Sequence, residues 1–456
     1  MPKRDSYIII DLLLFLLVLA VYITGQALIG AYLPSDGAFH YDAPADVDFL
    51  YYAGIVNQMK YSFPPQNPAY GGVPLSQSFI QYYPVVGLSF VMSPYVAMRI
   101  LNLLYLVLLA LVLRRYFPRG WGVGLAIITA GSVGFGLINS LGIDLIARGF
   151  NHFPFFIAFF IAVFERKILW LRYACLFLLG WLHSFTALLA LLFFAGVAVV
   201  DRFDRRRIID TAICFLGLVS AASITLGVAD KPFYFPFVEG FRFDLTDLWM
   251  HAVLPLTLVV FARKVHIYIL FFVAFIFGLL FHYNPFFPVF MLYIAGGWAA
   301  MEIFAPRRRD AVIAYAVAGI LFVGFVAGAI AKYNPSNENF VPHLDPAYAG
   351  AARWLKEHTP PESVLLTTIL ESGWHCRLME TRAVYLGFIP HVAHLGIDWR
   401  ARAQKILTFF RKPPVYMTET SYVVYGPAER KVFPNFRLNW NPVYSDAQVT
   451  IWTTRR

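Results

Sequence analysis

The chain has 456 residues, of which 59% are hydrophobic, 18% aromatic and only 14% charged, against about 25% charged in an ordinary soluble domain. So few charges cannot cover the surface of a soluble fold this large, and lipid must cover part of it. The formal net charge of +10 does not mark a nucleic-acid binder, because Arg and Lys stand in short clusters between apolar runs, as at Arg307, Arg308 and Arg309; that is an orientation signal for membrane helices.

In chain order, apolar runs of roughly membrane length are predicted near Tyr7–Leu28, Pro94–Leu113, Trp121–Leu141, Phe150–Phe164, Ile168–Leu182, Phe185–Val200, Thr211–Val228, His251–Phe261, His266–Phe281, Pro285–Phe304 and Ala311–Ala331. The first run is too long for a signal-peptide core and shows no clear small-residue cleavage site, so it reads as a retained helix. The fold expected is mostly α, with about eleven transmembrane helices.

Charge placement tests that count. With Lys3 and Arg4 cytoplasmic, alternation puts Arg114/Arg115/Arg119, Arg166/Lys167, Arg202/Arg205/Arg206/Arg207, Arg263/Lys264 and Arg307/Arg308/Arg309 on the same side, while the opposite connections hold Lys60, Arg148, Lys231 and Arg242. Merging Ile168–Val200 into one helix would throw the later basic clusters to the wrong side. A break at His183–Ser184 is therefore required.

Two extracytoplasmic segments are long. The first, residues 29–83, carries Asp36, Asp42, Asp46 and Asp48 with one Lys. Its stretch ADVDFLYYAGIVNQM, Ala45–Met59, has helical spacing and is expected to lie in the membrane interface as an amphipathic helix. The stretch FPPQNPAYGGVP, Phe63–Pro74, reads as a stiff turn region. The second segment is a tail, 333–456, following a membrane domain that occupies 1–332. Within it Asp345–His358 reads as an amphipathic helix, and Ser363–Thr368, Ser421–Tyr425 and Val449–Thr453 as short strands, giving a small α/β domain. Cys175 and Cys214 lie in apolar runs and Cys376 in the tail, so neither a disulfide framework nor zinc spacing is present.

The acidic first loop carries the clearest site signal. Asp46 and Asp48 stand just beyond a membrane helix, where a partly dehydrated carboxylate can take a proton from a hydroxyl or hold a divalent cation such as Mg or Mn; a helix-capping role is the plainer alternative. Asp144, Arg148 and His152 recur at i, i+4 and i+8, which on one helix makes a common face able to bind an anion, or a simple Asp–Arg pair. His183 and the pair His282–Tyr283 stand at extracytoplasmic helix breaks, where ionisable groups usually face a cavity. Lys231 and Arg242 could clamp a lipid phosphate or form ordinary loop salt bridges. In the tail, Arg377 and Arg382 within ESGWHCRLMETR are available to an anion or are surface charge. No phosphate loop, dinucleotide glycine fingerprint or HExxH helix is present, which removes soluble ATPase, dehydrogenase and zincin readings.

Taken in order, these features resemble the GT-C glycosyltransferases, which transfer sugars from polyprenyl-phosphate donors on the extracytoplasmic face of a membrane. The stretches ADVDFLYYAGIVNQM and FPPQNPAYGG are similar to first loops of bacterial members. WLKEHTPPESVLLTT, ESGWHCRLMETRAVYLG and SYVVYGPAER resemble their periplasmic domains. The resemblance implies a catalytic base or metal-associated acid at Asp48, with Asp46 the near alternative. Related loops often place a His shortly after the acid, and here Tyr51 and Tyr52 stand there. SGWHC replaces the WWDYG block of oligosaccharyltransferases, which argues against asparagine glycosylation. The implied partners are a polyprenyl-phosphate-linked sugar, membrane lipid and a glycan, lipid or protein acceptor, in a bacterial inner membrane. Two other readings compete: a transporter or flippase, although no internal repeat is visible, and a non-catalytic scaffold of the same fold.

Overall fold

The computed structural model describes residues 5–29, 47–75, 79–131, 141–226, 252–253, 255–280, 286–304, 347–368, 376–387, 389, 392, 397–412 and 417–454. The expected helix at Ala311–Ala331 lies outside them.

The helices of the first three-quarters of the chain are α1 (Asp5–Ile29), α2 (Val47–Met59), α3 (Tyr83–Leu88), α4 (Pro94–Tyr116), α5 (Trp121–Gly131), α6 (Leu141–Phe164), α7 (Leu169–Leu182), α8 (Ser184–Val200), α9 (Arg205–Leu226), α10 (Val265–Leu280) and α11 (Phe286–Phe304). The tail adds α12 (Tyr348–His358), β1 (Val364–Leu366), α13 (Cys376–Thr381), β2 (Ala383–Val384), α14 (Arg400–Arg411), β3 (Tyr422–Tyr425), α15 (Pro427–Val432), β4 (Tyr444–Ser445) and β5 (Thr450–Thr453). The chain divides into two compact units: Met1–Leu28 with Met98–Ile224 and Glu239–Asn337, and Ile29–Ala97 with Thr225–Val238 and Glu338–Arg456.

The first unit is helical. Along α1 a seam of Asp11, Val18 and Tyr22 is buried, while Ile8, Leu12, Leu13, Leu16 and Ile23 are exposed. Apolar side chains turned outward on one stripe, with a polar residue on the buried one, invert the pattern of a soluble helix and suit a lipid surround. Helix α4 opens with Ser93, whose Oγ accepts from the Val96 N–H at 3.3 Å, and with Pro94 at its first position, where a missing N–H costs nothing. Among the described residues it is the one helix that is by itself long and apolar enough to cross a membrane; Ile8–Thr24, Gly149–Phe164, Leu169–Leu182, Thr186–Val200, Val265–Leu279 and Pro288–Ile303 are shorter apolar helices.

The connections that the charge pattern assigns to one side are tied to one another. The Asp11 carboxylate accepts from the N–H groups of Gly120 (2.8 Å) and Gly122 (3.0 Å), satisfying the open donors at the start of α5 from a different helix. Gly122 permits this approach, since a Cβ there would stand 2.3 Å from the Asp11 carbonyl oxygen. Arg115 pairs with Glu165 at 2.7 Å, Arg207 with Asp201 at 2.8 Å, Lys264 with Glu302 at 2.6 Å, and Arg172 with Asp210, both buried. Every one of these bonds joins helix ends that alternation places together.

The second unit is built on a sheet of order β2-β1-β3-β5-β4. β1 runs parallel to β2 (Val364↔Ala383) and β3 (Leu365↔Tyr422), while β5 is antiparallel to β3 and β4. Trp354 of α12 meets Tyr444 and Tyr422, and Phe410 of α14 meets Phe433 and Phe436. The first-loop segment belongs to this unit as a structural part. Gly71 donates to the Val384 carbonyl (2.7 Å), Val384 to the Pro68 carbonyl (2.8 Å) and Gly387 to the Ala69 carbonyl (2.9 Å), so residues 68–71 cover the outer edge of β2, which would otherwise be an open pairing edge.

Candidate functional site

Helix α2 begins at Val47, which puts Asp48 in its first turn. The helix was expected to lie flat at an interface. It is instead buried round its circumference: Tyr51, Ala53, Ile55 and Val56 are inaccessible and Tyr52 and Gln58 nearly so. The cause is the tail, which covers it. Asn57 Nδ2 donates to the Glu380 carbonyl at 2.7 Å and Gln58 Nε2 to the Pro361 carbonyl at 3.4 Å. A Cβ on Gly54 would stand 2.6 Å from the Met379 carbonyl oxygen and 2.9 Å from Pro68 Cβ, so glycine is what lets α13 and the turn region close on α2. Tyr52 packs on Tyr82 and Tyr51, with ring centroids 5.5 and 6.0 Å apart. The acid-bearing helix is thereby held by packing on several sides rather than carried on a loose loop.

The turn region is fastened by an arginine. Arg402 Nη1 donates to the carbonyls of Gly71 (2.7 Å) and Tyr385 (2.6 Å), and its guanidinium lies between the Tyr70 and Tyr385 rings, 3.5 and 4.4 Å from their centroids. This planar sandwich suits Arg and not Lys. Arg382, a candidate anion binder, is buried. It donates to the carbonyls of Thr381 (2.6 Å), Lys356 (3.0 Å) and Thr359 (2.5 Å) and to Thr359 Oγ1 (2.9 Å), closing the end of α12. Burial pulls its pKa down, opposed by Tyr61, Glu362 and Tyr422.

In the helical unit, Asp144, Arg148 and His152 fall in one helix, α6, which starts about nine residues before the predicted apolar run and continues through Pro154. His152 and His183 come together, ring centroids 5.8 Å apart, with Phe290 4.9 Å from His152. The break at His183 is as expected: the residue is extended and caps α8, its Nδ1 accepting from the Thr186 N–H at 3.3 Å with Thr186 Oγ1 at 2.9 Å. Accepting at Nδ1 puts the neutral-state proton on Nε2. Tyr22, Asn102, Asn151 and Thr186 are also buried around this part of the unit. The Tyr22 ring lies 5.8 Å from Phe153, its hydroxyl without a hydrogen-bond partner among the described residues. Asn102 Oδ1 stands 2.5 Å from where a Cβ on Gly149 would lie.

Of the other candidates, Asp46, Lys231, Arg242, His282 and Tyr283 lie outside the described residues, and the side chains of Asp48, Asp144, Arg148 and Arg377 are likewise not described; for these the structure gives the backbone of α2, α6 and α13. Among the described residues no three His, Cys, Asp or Glu side chains are grouped to hold a metal ion. Sequence reasoning passed over Gly54, Tyr70 and Arg402, which fix α2 and its turn, and Tyr22, Asn102 and Asn151. A glycine inside a helix of bulky residues was the available signal for the first; the polar residues within apolar runs were the signal for the last three.

The fold is that of the GT-C class, a mostly helical membrane fold. The chain is similar along its length to ArnT from Cupriavidus metallidurans, in a structure bound to undecaprenyl phosphate (TM-score 0.54, 11% identity, covering 99% of this chain and 98% of that one) and in the apo state (TM-score 0.53, 11% identity, with the same coverage). A weaker likeness, to an Archaeoglobus fulgidus oligosaccharyltransferase in complex with zinc and sulfate, has a TM-score of 0.48 at 13% identity over 91% of this chain and 68% of that one, too low to carry an inference. No protein-family model and no curated relative matches the sequence.

Proposed function

We propose that this protein is a membrane glycosyltransferase that moves a hexosyl or pentosyl group from a polyprenyl-phosphate donor to an extracytoplasmic glycan, lipid or protein. The observation that carries the reading is the building of α2, the helix with Asp48 in its first turn, into the α/β unit, within a fold similar over 99% of the chain to a structure bound to undecaprenyl phosphate. About eleven spans, a cytoplasmic N-terminus, an extracytoplasmic tail and a bacterial inner membrane belong to the same proposal.

The chemistry is a single displacement. The Asp48 carboxylate, or Asp46 in its place, takes the proton of the acceptor hydroxyl as its oxygen attacks the anomeric carbon. The bond from that carbon to the phosphate oxygen breaks, and the lipid phosphate leaves with the electron pair. Configuration at the anomeric carbon inverts. Arg148, Lys231, Arg242 and Arg377 are the cations proposed to meet the departing phosphate; Arg382 would first have to release four bonds to its own unit. Asp144, His152, His183, His282, Tyr283 and Tyr52 are proposed to line the sugar and lipid-phosphate path. The proximity of His152 and His183 supports that for those two. A divalent cation, Mg or Mn, bound through Asp46 and Asp48 would add charge to the leaving phosphate.

The test is release of lipid phosphate from a panel of polyprenyl-phosphate sugars by purified protein, with Mg, Mn or chelator. Turnover that falls at least about 100-fold in Asp48→Asn or in Asp46→Asn/Asp48→Asn is expected, the scale of losing a general base. Unchanged transfer by a folded double variant would sink the assignment.

A further inference from the structure

Helices α7 and α9 of the first unit run parallel and in contact. Arg172 pairs with Asp210 near their starts. Further along, a Cβ on Gly180 would run into the backbone of Gly217 and Leu218, and one on Gly217 into the Phe177 carbonyl, the close approach that small residues allow between membrane helices. Beyond it Trp181 Nε1 donates to Ser220 Oγ at 2.9 Å. The paired residues are 38 positions apart at the first tie and 39 at the last. One register is kept throughout, and the starts of the two helices lie side by side.

That end carries cations. Arg166 and Lys167 precede α7, Arg202 stands in the turn after α8, and Arg205 and Arg206 open α9, all of them exposed. Among the described residues none of the five makes an ion pair, because the neighbouring acids are occupied within the fold. Glu165 holds Arg115 and the N–H groups of Lys167 and Ile168. Asp201 holds Arg207 and His266, and Asp210 holds Arg172 and Arg207. Asp204 is the exposed acid that remains in the turn.

What flanks the cations says which anion. Trp170 is 73% exposed, Phe203 62% and Val199 58%. Arg202 and Phe203 close α8 at φ 53° and 59°, in a cap whose left-handed position is usually given to Gly, and both side chains are exposed. On three helix ends, exposed apolar side chains give way to exposed cations within about one turn: from Trp170 back to Lys167, from Val200 on to Arg202, and from Ile208 back to Arg205. Such a change marks the edge of a lipid-facing surface, where aromatic rings and cations with apolar stems are favoured. A water-soluble polyanion would meet the charge and leave the rings and valines uncovered.

We infer that the joined starts of α7 and α9, with the turn that leads into α9, form a docking surface for anionic phospholipid. Headgroup phosphates lie against Lys167, Arg202, Arg205 and Arg206, while Trp170 and Phe203 enter the acyl-chain border. The surface stands at the end of α7 and α8 away from His183 and uses none of the residues assigned to sugar transfer.

Full-length protein in detergent is titrated with phosphatidylglycerol, phosphatidylcholine or soluble glycerol 3-phosphate, and retained lipid is followed by native mass spectrometry alongside thermal unfolding. Wild-type protein should prefer phosphatidylglycerol, each cation contributing roughly fivefold. Arg205→Gln/Arg206→Gln, at exposed positions without partners, should lose two such factors while the lipid-free thermal midpoint stays unchanged. Lys264→Gln, whose cation is already matched by Glu302, should keep the preference. Phe203→Gly relieves the left-handed backbone, so it should keep the midpoint and still weaken retention of both lipids. An undiminished preference in folded Arg205→Gln/Arg206→Gln overturns the proposal. An equal loss in Lys264→Gln overturns it as well, since net charge alone would then set the preference. Equal stabilisation by glycerol 3-phosphate does the same, because the surface would then be one for soluble phosphate.

Discussion

At the scale of residues, Gly54 and Arg402 set how closely the first loop and the tail can approach. A Cβ at Gly54 has no room beside the Met379 carbonyl oxygen and Pro68. Gly54→Ala should therefore cost about 1–3 kcal/mol by overpacking, read as a lower thermal midpoint. Arg402→Lys should lose nearly as much stability as Arg402→Ala, about 2 kcal/mol, because an ammonium cannot both stack between Tyr70 and Tyr385 and reach two carbonyls. Recovery of wild-type stability by the lysine variant would contradict that account. Neither role was legible in the sequence, since each depends on partners hundreds of positions away, as with the 323 positions between Asn57 and Glu380. His183 was legible, because a helix without a break there would have put the basic clusters on the wrong side. Asp48 was legible only as an acid after a membrane helix; that its helix would be enclosed by the tail was not.

At the scale of elements, periodicity located the long apolar helices but misjudged the surroundings of α2, read as an interfacial helix and found buried. Amphipathic spacing reports one apolar face; the second cover comes from α13 and the turn region. Strands β2 and β4, two residues each, are too short for any alternation to show. The cover of β2 by residues 68–71 predicts that residues 338–456 expressed alone will aggregate through the opened edge, and that supplying residues 47–75 in the same chain will restore a soluble, protease-resistant unit. A monodisperse, folded tail without the first loop would contradict this. Between α6 and α7, the Glu165 carboxylate is held down to about 2, chiefly by the Lys167 N–H, with the Ile168 N–H, Tyr116 and Arg115 adding and burial opposing. A depressed carboxylate stabilises the fold above its ordinary value of about 4.5, and that stability is lost as pH falls toward 2. Glu165→Gln should flatten the acid limb of the stability profile between those limits.

At the scale of the whole molecule, the helix ends linked by Arg115–Glu165, Arg172–Asp210, Arg207–Asp201 and Lys264–Glu302 are those that the charge rule assigns to a common side. The buried Arg172–Asp210 pair allows a direct check. Arg172→Met leaves the buried Asp210 carboxylate only its longer pairing with Arg207 at 3.7 Å and should cost about 3 kcal/mol, the low end for breaking a buried pair, while Arg172→Met/Asp210→Leu should recover most of it, both read by thermal unfolding in detergent. The central claim, that the acid at the start of α2 drives sugar transfer from a lipid phosphate, is tested most directly by offering wild-type protein and Asp48→Asn the same polyprenyl-phosphate sugars and measuring release of the lipid phosphate. The account predicts turnover by the wild-type protein that Asp48→Asn loses while its thermal midpoint stays unchanged. Equal turnover by the two proteins, or no turnover by folded wild-type protein with any donor, would contradict it.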